Sequence, residues 1–453
     1  MNEPTIAKAY PHKMFFVEMF TRDVSIEECI LDLIDNSFDG LIRTRKLELD
    51  QNLLVPPPAE IEPNLPIIKL EITDKEVLIT DNCGGIPLKD AQEEVFNFGH
   101  SPTYHTAGKM LRLGIYGVGM KRALFKLGTA FEVTSKTIED GFTVKVDLNE
   151  WMGQDSLKHW TFPLTPIAKA KSAQTAGTTI KIKPLREIAK VAINDGRFRS
   201  RVLTEVGRAY ALLLERFATV QFDSEKIKPM QIPLGASKEV TPAFKELNYD
   251  GVNIHLFASL AKRDARNMWP AEQAGWYVAC NGRLVVTADK TELTGWGVGL
   301  PEFHGGKYRG FVGIALFSSD DPLKLPWNTK KSGLNRESLV LQRVRHEMAA
   351  VSRPIITFLN KMYPSDMPDE LQQRAIAEAV KFVDVRSIDK STQTSFDVHP
   401  QKLIREKTTA RIQFNAEMHD VEKIRKHLRR PGMSFKEVGE TTFKEYLRFN
   451  KLL

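Results

Sequence analysis

Residues 25–46 read SIEECILDLIDNSFDGLIRTRK, and this stretch decides the fold. Ser25 followed three residues later by Glu28 is a capping box, which predicts the start of a helix. Apolar residues recur at helical spacing along one face, while Glu28, Asp32 and Asn36 share a second, acidic face. We therefore predict an amphipathic helix whose polar face is either simply solvated or holds a carboxylate and a carboxamide for chemistry.

The surrounding segments predict a sheet that packs against this helix. Five of them alternate like β-strands: residues 66–73, 76–82, 129–136, 142–148 and 178–183. The proline-rich residues 55–66 interrupt the pattern and are typical of a surface loop. Together these elements indicate an α/β layer in which helices cover one side of a sheet.

The rest of the chain predicts a second α+β domain and a helical tail. A helix is expected over 200–220 and a longer one over 337–362, and three strand patterns lie between them, at 251–258, 276–286 and 309–318. The predicted fold class is α+β, with domains at residues 1–195, 196–363 and 364–453. The last region has weaker patterns and more charge.

Composition limits the class of protein. The chain has 453 residues, of which 42% are hydrophobic, and a net charge of +7. These values exclude a mostly disordered chain. Three widely spaced cysteines fit neither a disulfide framework nor a zinc site and indicate a reducing compartment. No apolar run is long enough to span a membrane, so the expected location is cytoplasmic.

Three further short motifs follow the helix. Together with the Asp32–Asn36 segment of the helix, we call them the four boxes. Asp81 ends a strand and precedes Gly84-Gly85-Ile86, where a carboxylate could accept from an exocyclic amine, although a plain turn would look the same. Gly114-Ile115-Tyr116-Gly117-Val118-Gly119-Met120-Lys121 is a glycine-rich loop that opens onto a helix, an arrangement that favours phosphate. It has neither Walker nor convincing Rossmann spacing. The fourth box, Gly177-Thr178, begins a strand.

In this order and at these spacings, the four boxes resemble the GHKL ATPase family, whose nucleotide site is the Bergerat fold. The family includes gyrase B, MutL, the ninety-kilodalton heat-shock chaperone, histidine kinases and the microrchidia ATPases. The resemblance covers about residues 10–185. Residues 326–336, PWNTKKSGLNR, also resemble the lysine loop of the S5-like transducer domain in gyrase B, MutL and microrchidia-like relatives.

The resemblance implies ATP and Mg²⁺ as ligands. Asn36 would coordinate Mg²⁺, Asp81 would accept from the adenine amine with support from Thr178, and residues 98–116 would form a lid. The remaining residues implied near the nucleotide are Gly85 and Ile86 beside the adenine, Phe98 in the lid, and Gly114, Gly117, Val118, Gly119, Met120 and Lys121 around the phosphates.

The resemblance also implies a general base and a lysine for the γ-phosphate. Relatives carry glutamate at the position of Asp32. The aspartate side chain is shorter by one methylene, so its carboxylate lies about 1.5 Å further back. A misplacement of that size can cost about 100-fold in rate. Asp32 is the predicted base, Glu28 one turn earlier is the alternative, and hydrolysis is expected to be slow. Lys330 is the predicted γ-phosphate lysine.

The sequence is compatible with several biological roles for such an ATPase. The first is a homodimeric ATP-gated clamp or switch in DNA transactions or antiviral defence. Residues 402–430 hold nine Lys/Arg and four Asp/Glu, so DNA could bind there, although a solvated helix would look the same. The second is a chaperone-like or partner-regulating ATPase that acts on a protein. Histidine-kinase phosphotransfer is disfavoured because no phospho-acceptor helix precedes the ATP domain.

Overall fold

The computed structural model describes residues 12–45, 65–99, 111–115, 117–154, 160–362, 376–399, 412 and 415–452. The chain divides into two compact units, Met1–Gln401 and Lys402–Leu453. The first unit holds two large sheets and most of the helices, and the second holds a pair of helices. The predicted loop at 55–66 falls largely outside the described residues.

The first sheet has eight strands in the order β5-β4-β3-β6-β2-β1-β7-β8. Their bounds are β1 Ile67–Ile72, β2 Val77–Asp81, β3 Ala130–Lys136, β4 Gly141–Asp147, β5 Leu164–Pro166, β6 Gly177–Ile182, β7 Thr219–Phe222 and β8 Glu225–Lys226. The sheet is mixed, because β7 pairs with β1 in parallel while the other neighbours are antiparallel. The strands β1, β2, β3, β4 and β6 confirm the alternation seen in the sequence.

Several helices precede or connect the strands of this sheet in the sequence. Their bounds are α1 Lys13–Thr21, α2 Ile26–Arg45, α3 Leu88–Asp90, α4 Gly119–Leu127, α5 Leu148–Gly153, α6 Glu187–Ile193 and α7 Phe198–Ala209. A π-helical turn, Ala91–Val95, continues α3. The predicted capping box begins α2, since Glu28 N–H donates to Ser25 Oγ at 3.1 Å and Ser25 N–H donates to the Glu28 carboxylate at 2.8 Å. The buried face of α2 contacts α4 and α7.

The second sheet has five strands in the order β11-β12-β15-β13-β14. Their bounds are β11 Ala243–Tyr249, β12 Val252–Leu260, β13 Gly275–Cys280, β14 Arg283–Asp289 and β15 Phe311–Ser318, and the helix α8, Leu339–Lys361, contacts β11, β12 and β15. The sequence predicted one strand over 276–286, whereas Asn281 and Gly282 adopt positive φ and turn the chain into the β13–β14 hairpin. An Asn-Gly pair is the usual residue choice for such a tight turn.

The two sheets are joined more closely than the predicted boundary at 195–196 suggests. Strand β7 lies beyond that boundary and still pairs with β1 of the first sheet. Helix α7 contacts both α2 and β14. The predicted helix over 200–220 ends at Ala209, because the chain then passes through turns into β7. Side chains on α2 and on the second sheet can therefore contact each other.

The predicted third region, residues 364–453, contains strands as well as helices. The region contributes two short strands, β16 Lys381–Phe382 and β17 Asp397–Val398. They pair with two short strands of the preceding region, β16 with β9 Gly235–Ala236 and β17 with β10 Val240–Thr241. In the second unit, α9 Met418–His427 packs on α10 Phe435–Phe449 around Val421, Met433 and Val438. Among the described residues, no helix has the length and apolarity needed to cross a lipid bilayer.

Candidate active site

A cavity of about 570 Å³ lies between α2, the end of β2 and the start of α4. It brings together most of the residues predicted from the four boxes. Those that line it are Asp32, Asn36, Asp81, Gly85, Ile86, Gly114, Gly117, Val118, Gly119, Met120, Lys121 and Thr178. Residues distant in sequence thus form one concave surface, which is the usual form of a small-molecule site.

Asp81 lies at one end of the cavity and is held by three donors. Its Oδ2 accepts from the Ser37 hydroxyl at 2.7 Å, and its Oδ1 accepts from the Cys83 and Thr178 backbone N–H groups at 2.9 and 3.3 Å. Burial raises the pKa of Asp81, while these hydrogen bonds oppose the rise by favouring the carboxylate. A carboxylate fixed in this way can accept a hydrogen bond from an amine on a flat ring.

The Gly85-Ile86 turn is fixed beside Asp81. Gly85 has a φ of 70°, and a Cβ there would lie 2.2 Å from the Lys136 carbonyl oxygen, so no larger residue fits. The Arg43 guanidinium donates to the Gly85 carbonyl. Ile86 N–H donates to Ser135 Oγ at 2.7 Å. The backbone can therefore lie close to a ligand without moving.

The glycine-rich segment is attached to α2 through Asp39. The Asp39 carboxylate accepts from the Leu113 and Gly114 N–H groups at 2.6 and 2.8 Å. Helix α4 then begins at Gly119, where a Cβ would lie 3.1 Å from Asp32 Cγ. The N–H groups of the first turn of a helix have no intrahelical partner and favour an anion. This end of the cavity suits phosphate groups.

Lys121, on the first turn of α4, is almost fully buried, with 1% of its surface exposed. Its Nζ donates to the Val95 carbonyl oxygen of the π-helical turn at 2.5 Å. Burial lowers the pKa of Lys121 to about 7, because the charged ammonium is poorly solvated there. An anion placed in the cavity would thus favour the charged form of this side chain.

Asp32 and Asn36 face the same end of the cavity as the start of α4. Asp32 is 3% exposed, and its Oδ2 accepts from Arg122 Nη2 at 2.5 Å. Asn36 Nδ2 donates to the Asp32 carbonyl oxygen at 2.8 Å. The amide oxygen of Asn36, in contrast, has no hydrogen bond within the described part of the chain. It is the atom that a hard cation would use.

The structure places Lys331, and not Lys330, beside Asp32. Lys331 is 8% exposed, and its Nζ lies 3.9 Å from Asp32 Oδ1. Asn328 Oδ1 accepts from the Lys330 and Ser332 N–H groups and forms a tight turn, in which Lys331 has a φ of 55°. Lys331 lines the first cavity and also a second cavity of about 520 Å³, whereas Lys330 lines the second cavity alone of these two.

Two other predicted residues have contacts that differ from their expected roles. Glu28 lines the second cavity, and its carboxylate accepts from Ser25 N–H, so it caps α2. Phe98 packs edge-to-face on Phe16 and Trp160, with ring centroids 4.9 and 5.5 Å apart. It anchors one end of the predicted lid in an aromatic cluster. Most of that lid, residues 100–110 and 116, lies outside the described residues.

The sequence reading missed a charged network behind Asp32. Asp35, one turn along α2 and 1% exposed, has a carboxylate that accepts from Tyr210, Arg283 and Lys331. The signal available was a carboxylate on the apolar side of an amphipathic helix, a position that requires buried partners.

The β13–β14 hairpin also contacts the segment that precedes the glycine-rich loop. Asn281, at the hairpin turn, is fully buried, and its Nδ2 donates to the Arg112 carbonyl oxygen at 2.8 Å. Its amide also exchanges hydrogen bonds with the backbone of Ser319 at 3.0 Å. One hairpin therefore touches both the glycine-rich segment, through Asn281, and α2, through Arg283.

The donor set fits a magnesium ion carried by a phosphate ligand. Within the described part of the chain, no cluster of three or more acidic, histidine or cysteine side chains could hold a metal. Mg²⁺ needs few protein ligands when phosphate oxygens and water supply the rest. Asn36 would be the protein ligand, in agreement with its available amide oxygen.

The fold is a mixed α/β architecture, and its cavity has a helix start at the end that suits phosphate groups. Residues 24–178 match the family model described as histidine kinase-, DNA gyrase B-, and HSP90-like ATPase. The chain therefore contains a GHKL ATPase domain, as the four boxes indicated. Domains of this family bind ATP and support ATPase activity. No curated protein matches the chain.

Proposed function

We propose that the protein is a slow, Mg²⁺-dependent ATPase whose nucleotide site is completed by Lys331 from the second sheet domain. The observation that carries this proposal is the position of Lys331 Nζ, 3.9 Å from Asp32 Oδ1 at the phosphate end of the cavity. A lysine there stabilises the charge that develops on a transferred phosphoryl group.

The roles follow from the cavity. Asp81 accepts from the adenine amine, and Thr178 holds Asp81 through its backbone N–H. The start of α4 donates N–H groups to the phosphates. Asn36 would hold the magnesium ion, which would neutralise phosphate charge. Asp32 orients the attacking water and accepts its proton.

Asp32 is a better candidate for the base than Glu28. The Glu28 carboxylate is used in the capping box and faces the second cavity. The Asp32 carboxylate lines the first cavity, where Arg122 and Lys331 hold it at the phosphate end. Its side chain is one methylene shorter than the glutamate that relatives carry at this position, which agrees with slow hydrolysis.

The test is release of inorganic phosphate from ATP with and without Mg²⁺. Wild type is compared with Asp32→Ala, Asn36→Ala and Glu28→Ala. We expect a loss of at least 100-fold in kcat for Asp32→Ala and loss of Mg²⁺-stimulated turnover for Asn36→Ala. Glu28→Ala should mainly lower stability, by about 1 kcal/mol, through the lost cap. Full activity in Asp32→Ala would show that another residue is the general base.

We further propose that ATP closes the molecule into a homodimeric clamp. The family match supports this, because GHKL ATPases often dimerise. Contact between Lys331 and the γ-phosphate would link the nucleotide to the second sheet of the same chain. The test is the mass of the protein by light scattering with ADP and with a non-hydrolysable ATP analogue. A dimer only with the analogue, lost in Lys331→Ala, is the expected result. A constant mass would overturn the clamp.

DNA is the proposed partner, in DNA transactions or antiviral defence. In the second unit, Arg425 pairs with Glu422 at 2.7 Å and stacks on the Phe435 ring. Lys426, Arg429 and Arg430 have no ion pair within the described residues, so they are available for phosphates. These three residues are called the basic cluster.

The DNA test is fluorescence anisotropy with duplex DNA over a range of salt concentrations. Reversing the basic cluster to glutamate should weaken binding at least tenfold and lower the salt slope by about 3. A matched control reverses Lys436, Lys444 and Lys451 of the same unit. Equal effects of the two triple variants would remove the cluster from the interface. Salt-insensitive or absent binding would favour the alternative, an ATPase that regulates a protein partner.

A further inference from the structure

Asp35 is a buried carboxylate with three side-chain partners. The Tyr210 hydroxyl lies 2.7 Å from Asp35 Oδ1, and Lys331 Nζ donates to Oδ2 at 2.6 Å. The Arg283 guanidinium donates to the same Oδ2. Burial and the charge of Asp35 raise the pKa of Tyr210 well above its usual value, so the tyrosine is a neutral donor. Each carboxylate oxygen is therefore occupied.

The partners of Asp35 come from elements outside the four boxes. Tyr210 directly follows α7, Arg283 is the first residue of β14, and Lys331 lies in the loop after β15. Asp35 itself is on α2, one turn from Asp32. This carboxylate therefore joins the helix that carries the proposed base to the second sheet and to the lysine loop.

The charges around Asp35 form one buried network. Asp32 and Asp35 contact three cations, Arg122, Arg283 and Lys331, and the charge of Asp39 on the same helix also acts on Lys331. Lys331 Nζ lies 2.6 Å from Asp35 Oδ2 and 3.9 Å from Asp32 Oδ1, so Asp35 sets its position beside the proposed base. Because an ammonium group has three donors, Lys331 can meet a phosphate oxygen while it stays bound to Asp35.

We propose that Asp35 is a positioning residue for hydrolysis. It holds Lys331 beside the terminal phosphate and keeps Arg283 of the second sheet bound to α2. The inference rests on the proposed ATPase function, since it assigns Asp35 a role only through Lys331. Asp35 contributes to the rate of the chemical step and adds nothing to ground-state binding of ATP, because it is an anion near a polyanionic ligand.

Steady-state kinetics on Asp35→Asn test this role through the separation of kcat from KM. We expect kcat to fall roughly 10- to 100-fold and KM for ATP to stay the same or decrease. The double variant Asp35→Asn/Lys331→Ala should be no slower than Lys331→Ala alone, because both changes remove one function. Fully multiplicative losses, or a KM that rises with the loss of kcat, would overturn the proposal.

Two further variants separate positioning from general damage. Tyr210→Phe removes one neutral partner of Asp35, together with the contact of its hydroxyl to the Leu31 carbonyl oxygen, and leaves both cations in place. It should therefore fold even if Asp35→Asn does not, and its smaller loss of kcat should also vanish in the Lys331→Ala background. Glu347→Gln breaks a 2.7 Å ion pair with Lys245 that joins α8 to β11, and serves as the matched control. Thermal unfolding checks that each variant is folded.

The outcome also distinguishes this inference from the proposed function. If wild type fails to hydrolyse ATP, or if Lys331→Ala is as active as wild type, the proposed function has failed. If Lys331→Ala is impaired while Asp35→Asn and Tyr210→Phe have wild-type kcat, the ATPase assignment stands. In that case the positioning role of Asp35 is wrong.

Discussion

Asp32 accepts a 2.5 Å hydrogen bond from Arg122, and both side chains are largely buried. Asp32 lies on α2 and Arg122 on α4, so this ion pair joins the two helices that form the phosphate end of the cavity. It orients the proposed base beside the start of α4. The first prediction follows from the cost of breaking such a pair.

Replacing Arg122 by methionine should destabilise the fold by about 3 kcal/mol, because Asp32 loses its nearest counter-charge in a buried position. Urea unfolding measures the change. The double variant Arg122→Met/Asp32→Asn should recover part of the loss, since it removes the orphaned charge as well. If the two substitutions were simply additive, the ion pair would have no stabilising role.

The adjacent lysines form a matched pair for the second prediction. Lys331→Ala should reduce kcat at least tenfold, since it removes the cation near Asp32. Lys330→Ala deletes an identical side chain one residue away that faces the second cavity. Phosphate release by both variants decides between them. A larger loss in Lys330→Ala would restore the assignment suggested by the sequence.

Asp81 gives the third prediction. Asp81→Asn replaces an acceptor by a group that can also donate, so it should weaken ATP binding about tenfold or more, the value of one charge-assisted hydrogen bond. GTP should be affected much less. Titration calorimetry with both nucleotides measures this. Glu132→Gln on β3 of the same sheet is the control, and equal losses for ATP and GTP would contradict an adenine contact.

The fourth prediction concerns pH. In the free protein, Lys121 loses its proton near pH 7 because burial lowers its pKa to about 7. Bound phosphates favour the ammonium and raise this pKa, so binding above pH 7 must take up a proton. Affinity for ATP should therefore decrease as pH rises from 7 to 9 and be nearly constant below 6.

Calorimetry in two buffers of different ionisation enthalpy measures that proton uptake. Lys121→Met should abolish the part of it that is due to this side chain. The pH titration of ATP itself is common to both proteins and cancels in the comparison. If proton uptake is identical in wild type and Lys121→Met, Lys121 does not respond to the phosphates.

Local patterns were enough to predict the helix α2 and several strands, and the resemblance to the GHKL family supplied the residues around the cavity. The capping box at Ser25 and Glu28 and the alternation of β1 and β2 depend on neighbours in sequence. Glycine at position 85 is required by its positive φ and by a close backbone contact. These signals can be recognised without knowledge of the tertiary structure.

The network around Asp35 could not be predicted in the same way. Tyr210 and Arg283 lie 175 and 248 residues further along the chain than Asp35. No local pattern links them. The choice between Lys330 and Lys331 depends on the φ of one residue in a turn, which is set by hydrogen bonds to Asn328. Such contacts are decided by the folded structure as a whole.

The β13–β14 hairpin gives the second domain two inputs at a single turn. Asn281 contacts the backbone at Arg112, next to the glycine-rich loop, and Arg283 contacts Asp35 on α2. A displacement of the segment next to the glycine-rich loop would reach this turn through Asn281. A change in the contacts of Asp35, which also binds Tyr210 and Lys331, would reach it through Arg283. Both contacts thus converge on a single turn of the second sheet.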